Sequence, residues 1–347
     1  IPATTPKPVY QAAPDKVLSM EENGPEIRIF NSTMEFVFHK QKGYVTSYKV
    51  NNIQYIADDF GFRPNFWRAP TDNDYGNGMP NRMQAWKQAS KNFKIAGIRT
   101  SASTVNTNLT VTYRLQECNT RYHVSYTIYP SGYLNVACHL EANPNAPEIP
   151  RIGARFRMPS DLNQMEYFGQ GPEENYCDRN HSTHVGHYKS TAEQQYVPYV
   201  RPQENGHKTD IRWLTLTDKT GKGLLFIADS NLMEFNVSRS RIEDFDGEES
   251  TRPYQWQNFT KDESHDPLMA QNRKPKQTHI NDIYPRNFVE ICLDHRMMGV
   301  AGDDSWGSRP YPQYTLPANR DYHWSVMIIP IGNNAEISNH TGYRYMP

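Results

Sequence analysis

Apolar residues recur at every second position along much of this chain, starting at Ile27-Arg28-Ile29-Phe30 and continuing through Met34-Glu35-Phe36-Val37-Phe38 and Tyr44-Val45-Thr46-Ser47-Tyr48-Lys49-Val50. That period belongs to strands with one face on a core. Asn51-Asn52 separates the third run from Ile53-Gln54-Tyr55-Ile56, and asparagines tolerate the positive φ that a tight hairpin needs. Further strands are expected at 109–116, 122–129, 134–140, 152–158, 211–217, 224–228, 288–293 and 322–329, with turns such as Pro130-Ser131-Gly132 and 218–223 between them. Pro80 to Ala89 is the one short helix expected. The pattern predicts an all-β chain, and the lack of strand–helix alternation excludes a Rossmann or barrel reading.

Residues 1–25 carry Pro2, Pro6, Pro8, Pro14 and Pro25 with little periodicity, which reads as a Pro-rich linker from an absent upstream domain. The β unit is expected over 26–330, followed by a polar C-terminal extension over 331–347. The acidic run Glu243 to Glu249 reads as a solvated loop.

Composition narrows the function classes. A 37% hydrophobic and 12% aromatic content in 347 residues is enough for a sizeable core. Lys plus Arg number 37 against 38 Asp plus Glu, so no broad basic field draws nucleic acid or anionic lipid. No apolar run reaches the roughly 18 residues of a membrane span, and a soluble protein of the cytoplasm or periplasm is expected. Cys118, Cys138, Cys177 and Cys292 are too scattered for a zinc site or disulfide scaffold and read as free thiols.

The candidate chemistry lies in loops. Gly302-Asp303-Asp304-Ser305-Trp306 sets an aromatic ring beside paired acids, an arrangement suited to the apolar face of a sugar ring. Phe66-Trp67-Arg68-Ala69-Pro70-Thr71-Asp72-Asn73-Asp74, Tyr167 to Tyr176 (YFGQGPEENY) and Tyr196 to Gly206 (YVPYVRPQENG) precede it. Asp72 and Asp74, with the glycines after them, are candidate ligands for a hard cation, but no downstream glutamate completes a calcium loop, so bracing against Arg68 is the expectation. His181, His184 and His187 lack the i, i+4 spacing of a helical zinc pair and read as solvent-facing loop histidines. Glu173, Glu174, Arg179, Glu204 and Asn205 read as groups that stitch loops together. Gly221-Lys222-Gly223 is a turn and not a phosphate loop.

These four blocks, in this order, resemble the C-terminal small-chain domain of the glycoside hydrolase family 2 β-galactosidases, over about Ile27 to Pro330. The resemblance implies a large antiparallel β super-sandwich of the galactose-mutarotase type. It also implies a parent enzyme that hydrolyses terminal β-D-galactosides with two glutamates held in a barrel domain, so no catalytic residue is assigned to this chain. By the same resemblance Trp306 contacts the leaving-group sugar, and the barrel domain and a galactoside are its partners. Asp303 and Asp304 are expected to hold the loop, with sugar contact the secondary reading. No cofactor is assigned to the chain, although the parent is open to a divalent metal, Mg or Ca. Two alternatives stand beside this. A free-standing carbohydrate-binding module would show Trp67, Trp256 or Trp306 exposed on one concave face, and an aldose 1-epimerase would bring His295 and Glu290 together as acid and base.

Overall fold

A computed structural model describes residues 17–246, 279–304 and 307–341. The first five strands form one antiparallel sheet in chain order: β1 (Ser19–Asn23), β2 (Glu26–Phe30), β3 (Met34–His39), β4 (Tyr44–Val50) and β5 (Ile53–Gln54). The hairpin between β4 and β5 turns as expected, with Asn51 and Asn52 at φ 49° and 66°, the mirror-image turn whose twist suits paired strands. β1 lies inside the stretch expected as linker. Its side chains are all exposed and gave no alternation to read.

A nine-stranded antiparallel sheet forms the second layer, in the order β13-β12-β15-β16-β19-β10-β9-β8-β7. Its strands are β7 (Lys94–Ala102), β8 (Thr107–Leu115), β9 (Thr120–Ile128), β10 (Leu134–Leu140), β12 (Gln164–Gly171), β13 (His184–Thr191), β15 (Trp213–Thr217), β16 (Gly223–Ala228) and β19 (Tyr322–Ile331). β19 sits in the middle, pairing β10 on one side and β16 on the other. A third sheet takes strands far apart in the chain, in the order β14-β17-β18-β11-β6: β6 (Arg63–Asn65), β11 (Arg151–Pro159), β14 (Lys208–Ile211), β17 (Met233–Ser238) and β18 (Phe288–Met297).

Both five-stranded sheets lie on one face of the large sheet. Phe36 meets Tyr126 at 5.4 Å between ring centroids, joining β3 to β9, and Phe156 meets Phe226 at 5.6 Å, joining β11 to β16. One continuous apolar core results, and the expected all-β super-sandwich is what the chain forms. On the opposite face, Trp213, Leu225, Ile227, Met327 and Ile329 make a smaller core over which Ile337 packs, from the short helix Ile337–Thr341. The polar C-terminal stretch therefore carries a packed element.

The expected helix at 80–89 is broken into Met79–Arg82 and Gln84–Asn92, preceded by a turn of helix at Asp72–Gly76 that Thr71 and Asp74 cap reciprocally. The acidic run departs from its solvated reading. Ile242–Asp246 is helical and Asp244 is buried, because Arg241 and Arg286 both donate to its carboxylate; residues 247–249 lie outside the described residues. All four cysteines are free, with Cys118, Cys138 and Cys292 buried. No described helix is long and apolar enough to cross a membrane.

Candidate functional site

The four sequence blocks, spread over more than 200 positions, come together at one end of the sandwich. Arg68 is the post on which they hang. Fully buried, it donates to the Met298 carbonyl at 2.6 Å and the Gly299 carbonyl at 3.0 Å, and it pairs with Asp74 at 2.8 Å. The other Asp74 oxygen accepts the Thr71 amide at 2.9 Å. Asp74 is thus a brace for Arg68, and with both oxygens engaged it is poorly disposed toward a cation. Asp72 is exposed, and its amide reaches Gln203 at 3.1 Å while Arg201 lies over the Tyr75 ring at 3.8 Å, tying the first block to the third.

The second block and the residues just after it hold the other side. Asp178 accepts the Ala301 amide at 2.8 Å, and a Cβ at Gly299 would stand 2.3 Å from the same carboxylate oxygen. A larger residue there would push that carboxylate aside and loosen its hold on Ala301. Glu174 gathers the Tyr199 and Tyr176 hydroxyls, the Gly206 amide at 2.8 Å and Arg179 at 3.2 Å. The polar groups of these Gly- and Pro-rich motifs do stitch loops together.

Within the fourth block Asp304 accepts the amides of Gly307 at 3.1 Å and Ser308 at 3.3 Å, and Asp303 accepts the Tyr311 hydroxyl. Asp304 holds the loop by backbone contacts as expected; Asp303 does so through a side chain that spacing could not have named. Ser305 and Trp306 lie outside the described residues.

Beneath these loops β11, β14, β17 and β18 carry a buried charged network. Arg151 pairs with Asp294 at 3.1 Å and Glu204 at 3.3 Å, and His207 pairs with Glu234 at 3.1 Å. Burial pushes the Asp294 carboxyl up, and Arg151 and His207 offset this only in part. Burial acts the same way on Glu234, but hydrogen bonds and charge from His207, Arg296 and the Met297 amide outweigh it and hold that carboxyl below its usual range. Lys208 is pushed down to about 8 by burial, with Glu174 and Glu173 opposing.

Nothing in this network forms the acid/base pair of the epimerase alternative. Glu290 is locked between Arg155 and Arg157, whereas His295 packs edge-on to Tyr322 at 5.9 Å. Five residues along one strand separates them by roughly 16 Å of backbone. The structure does not bring them together. Trp67 is also no platform: it is 3% exposed and donates its indole N–H to Asp246 at 2.9 Å. Trp256 lies outside the described residues.

The histidine readings need two corrections. His184 and His187 stand on edge strand β13, not in a loop, and His187 is paired with Glu166. His139, Asp321 and His323, which sequence reasoning passed over, converge on the outer face of the large sheet. Their only signal was alternation within two strands whose pairing the sequence does not reveal.

Comparison with known proteins agrees with the family resemblance of the four blocks. The family described as beta galactosidase small chain matches residues 30–328. A β-galactosidase of Priestia megaterium is 31% identical over 334 residues, covering 95% of this chain and 29% of that protein. Those of Streptococcus thermophilus and Lactobacillus delbrueckii subsp. bulgaricus are 26% and 29% identical, covering 90% and 86% of this chain and 28% and 26% of their own lengths. The chain spans less than a third of the length of these relatives.

Proposed function

The chain belongs to the β-galactosidase small-chain family, and we propose that it serves as one part of a longer retaining β-galactosidase that hydrolyses terminal β-D-galactosides. In this reading the two catalytic glutamates, which double displacement needs at about 5–5.5 Å across the scissile bond, sit in a barrel domain of the same polypeptide. This chain supplies part of the active-site rim. Trp306 lies under the leaving-group sugar, and Asp303 and Asp304 act by holding its loop.

The observation that carries the reading is the convergence on residues 297–304. Buried Arg68, Asp178 and the glycine at 299 fix the backbone leading into that loop from two sides. Fixing a loop at the cost of a fully buried guanidinium makes sense where a side chain on it must be presented in one place. The loop end also offers groups suited to a wet, polar interface, with Arg179, Asp72 and Asp303 exposed.

The test uses the whole enzyme. Trp306→Ala should weaken binding of a glucose-like acceptor by about 1–3 kcal/mol, the scale of uncovering a large apolar face, and leave inhibition by galactose nearly unchanged. Equal losses for both sugars, or none for either, would show that Trp306 only packs.

A further inference from the structure

Three histidines from three strands stand side by side on the outer face of the large sheet. In register, His139 of β10 pairs with His123 of β9 on one side and with His323 of β19 on the other. Their rings stack, at 5.4 Å and 21° for His123 with His139 and at 4.1 Å and 13° for His139 with His323. The row is not uniform. His123 has both nitrogens engaged, by Glu141 at 2.8 Å and the Thr112 hydroxyl at 3.1 Å.

The other two face a carboxylate. Asp321 accepts the Ala142 amide through one oxygen at 2.8 Å and meets His139 Nε2 with the other at 2.9 Å. No ring nitrogen of His323 is hydrogen-bonded among the described residues. One ligand atom from each of His139, Asp321 and His323 lies within 4.8 Å of the others. Around a tetrahedral ion with bonds of about 2.0–2.1 Å, ligand atoms sit roughly 3.4 Å apart. The half-buried His139 and exposed His323 imidazoles reach that by small rotations, while the Ala142 amide keeps the carboxylate aimed.

We propose that His139, Asp321 and His323 bind a divalent transition-metal ion of the zinc, nickel or copper class at the protein surface. Two imidazoles with one carboxylate suit such ions, whereas Mg and Ca favour all-oxygen sets. The remaining coordination positions face solvent and are open to water. Because His139 lies 182 positions before Asp321, an ion held here clips β10 to β19. It binds the folded arrangement only and so raises its stability.

The experiment takes the full protein carrying this chain, stripped with a chelator, and titrates it with zinc by calorimetry. Wild type should take up one equivalent more than the His139→Gln/His323→Gln double variant. Asp321→Asn should weaken that equivalent by about tenfold or more, and His123→Gln should leave it in place. Copper loaded at the same stoichiometry should show coupling to two nitrogens by electron paramagnetic resonance, falling to one in either single histidine variant. Excess magnesium should not displace the ion. Circular dichroism checks that each variant is folded. An equivalent that survives the double variant, is missing from wild type, or is lost on changing His123 alone overturns the assignment.

Discussion

The two five-stranded sheets lie against the same large sheet, yet they are held in opposite ways. The first is a run of consecutive strands whose inward residues, such as Ile27, Ile29, Phe36, Phe38 and Tyr48, are apolar or aromatic. Its ion pairs are outside, as in Arg28 with Glu21, whose side chains are 41% and 61% exposed. The second is drawn from strands between residues 63 and 297 and buries Arg151, Arg155, His207, Lys208, Glu234, Glu290 and Asp294. Burial of apolar surface holds a sheet without fixing its partners closely, whereas buried charges are tolerable only when each meets a counter-charge or hydrogen-bond acceptors, as Lys208 meets Gln195 and the Gly206 carbonyl. The charged sheet is also the one that runs directly into the 297–304 loop, where placement matters most.

Breaking a charge pair in the second sheet should have the largest effect. Arg151→Met leaves Asp294 buried without its counter-charge and should cost about 3–5 kcal/mol in urea unfolding. Adding Asp294→Leu should recover much of that loss. A double variant no more stable than the single one would mean that the pair itself stabilises, and the contrast between the sheets would then fail.

The next effect is in pH dependence. Burial first, then Arg296, pushes His295 down to about 4, with Glu234 opposing. Between pH 4 and the unfolded value near 6.5, the unfolded chain takes a proton that the folded one refuses. The stability is therefore present above about 6.5 and lost as pH falls toward 4. Going from pH 7 to pH 5 should cost wild type about 2 kcal/mol more than His295→Gln. Asp294, raised by burial, titrates with the opposite sign and is common to both proteins, so it cancels in the comparison. Parallel pH profiles would rule out a neutral His295 in the folded chain.

The first sheet should respond more mildly. Asn52→Ala keeps a β-carbon at φ 66° but removes the short polar side chain that lets asparagine tolerate it, and should cost about 1 kcal/mol, while Asn52→Gly is tolerated. Smallest of all, Arg28→Ala should change stability by no more than about 1 kcal/mol, since Arg28 and Glu21 are exposed and Glu35 is only partly covered. A loss there as large as that of Arg151→Met would erase the distinction.

The same division explains what could be read from the residues alone. Strands β2 to β5 were legible because one face is apolar and the other wet, so alternation shows. Strand β18 was expected to stop at Leu293, and it runs on to Met297. Asp294, His295 and Arg296 look like a loop until Arg151 and Glu234 are known to face them. Edge strands β7 and β13 were missed because exposure on both sides leaves no alternation. At the candidate site, motif order located the loops and the backbone-holding role of Asp304, but the clamp of Arg68 on residues 298 and 299 depends on a fold that spacing cannot supply. The stacked histidines were hidden for the same reason, since only strand register sets His139 beside His323.

The central position of β19 governs how the molecule can be made. Strands β7 to β10 can zip as a meander as they leave the ribosome, and β12, β13, β15 and β16 can form a second ribbon. Each nascent half then carries an open edge, β10 on one and β16 on the other, until residues 322–331 emerge and insert between them. Pairing over such separations is slow, and in that interval the two edges are open to strands of neighbouring chains. Translation that pauses or stops before residue 322 would release two half-sheets poised to associate with one another's copies.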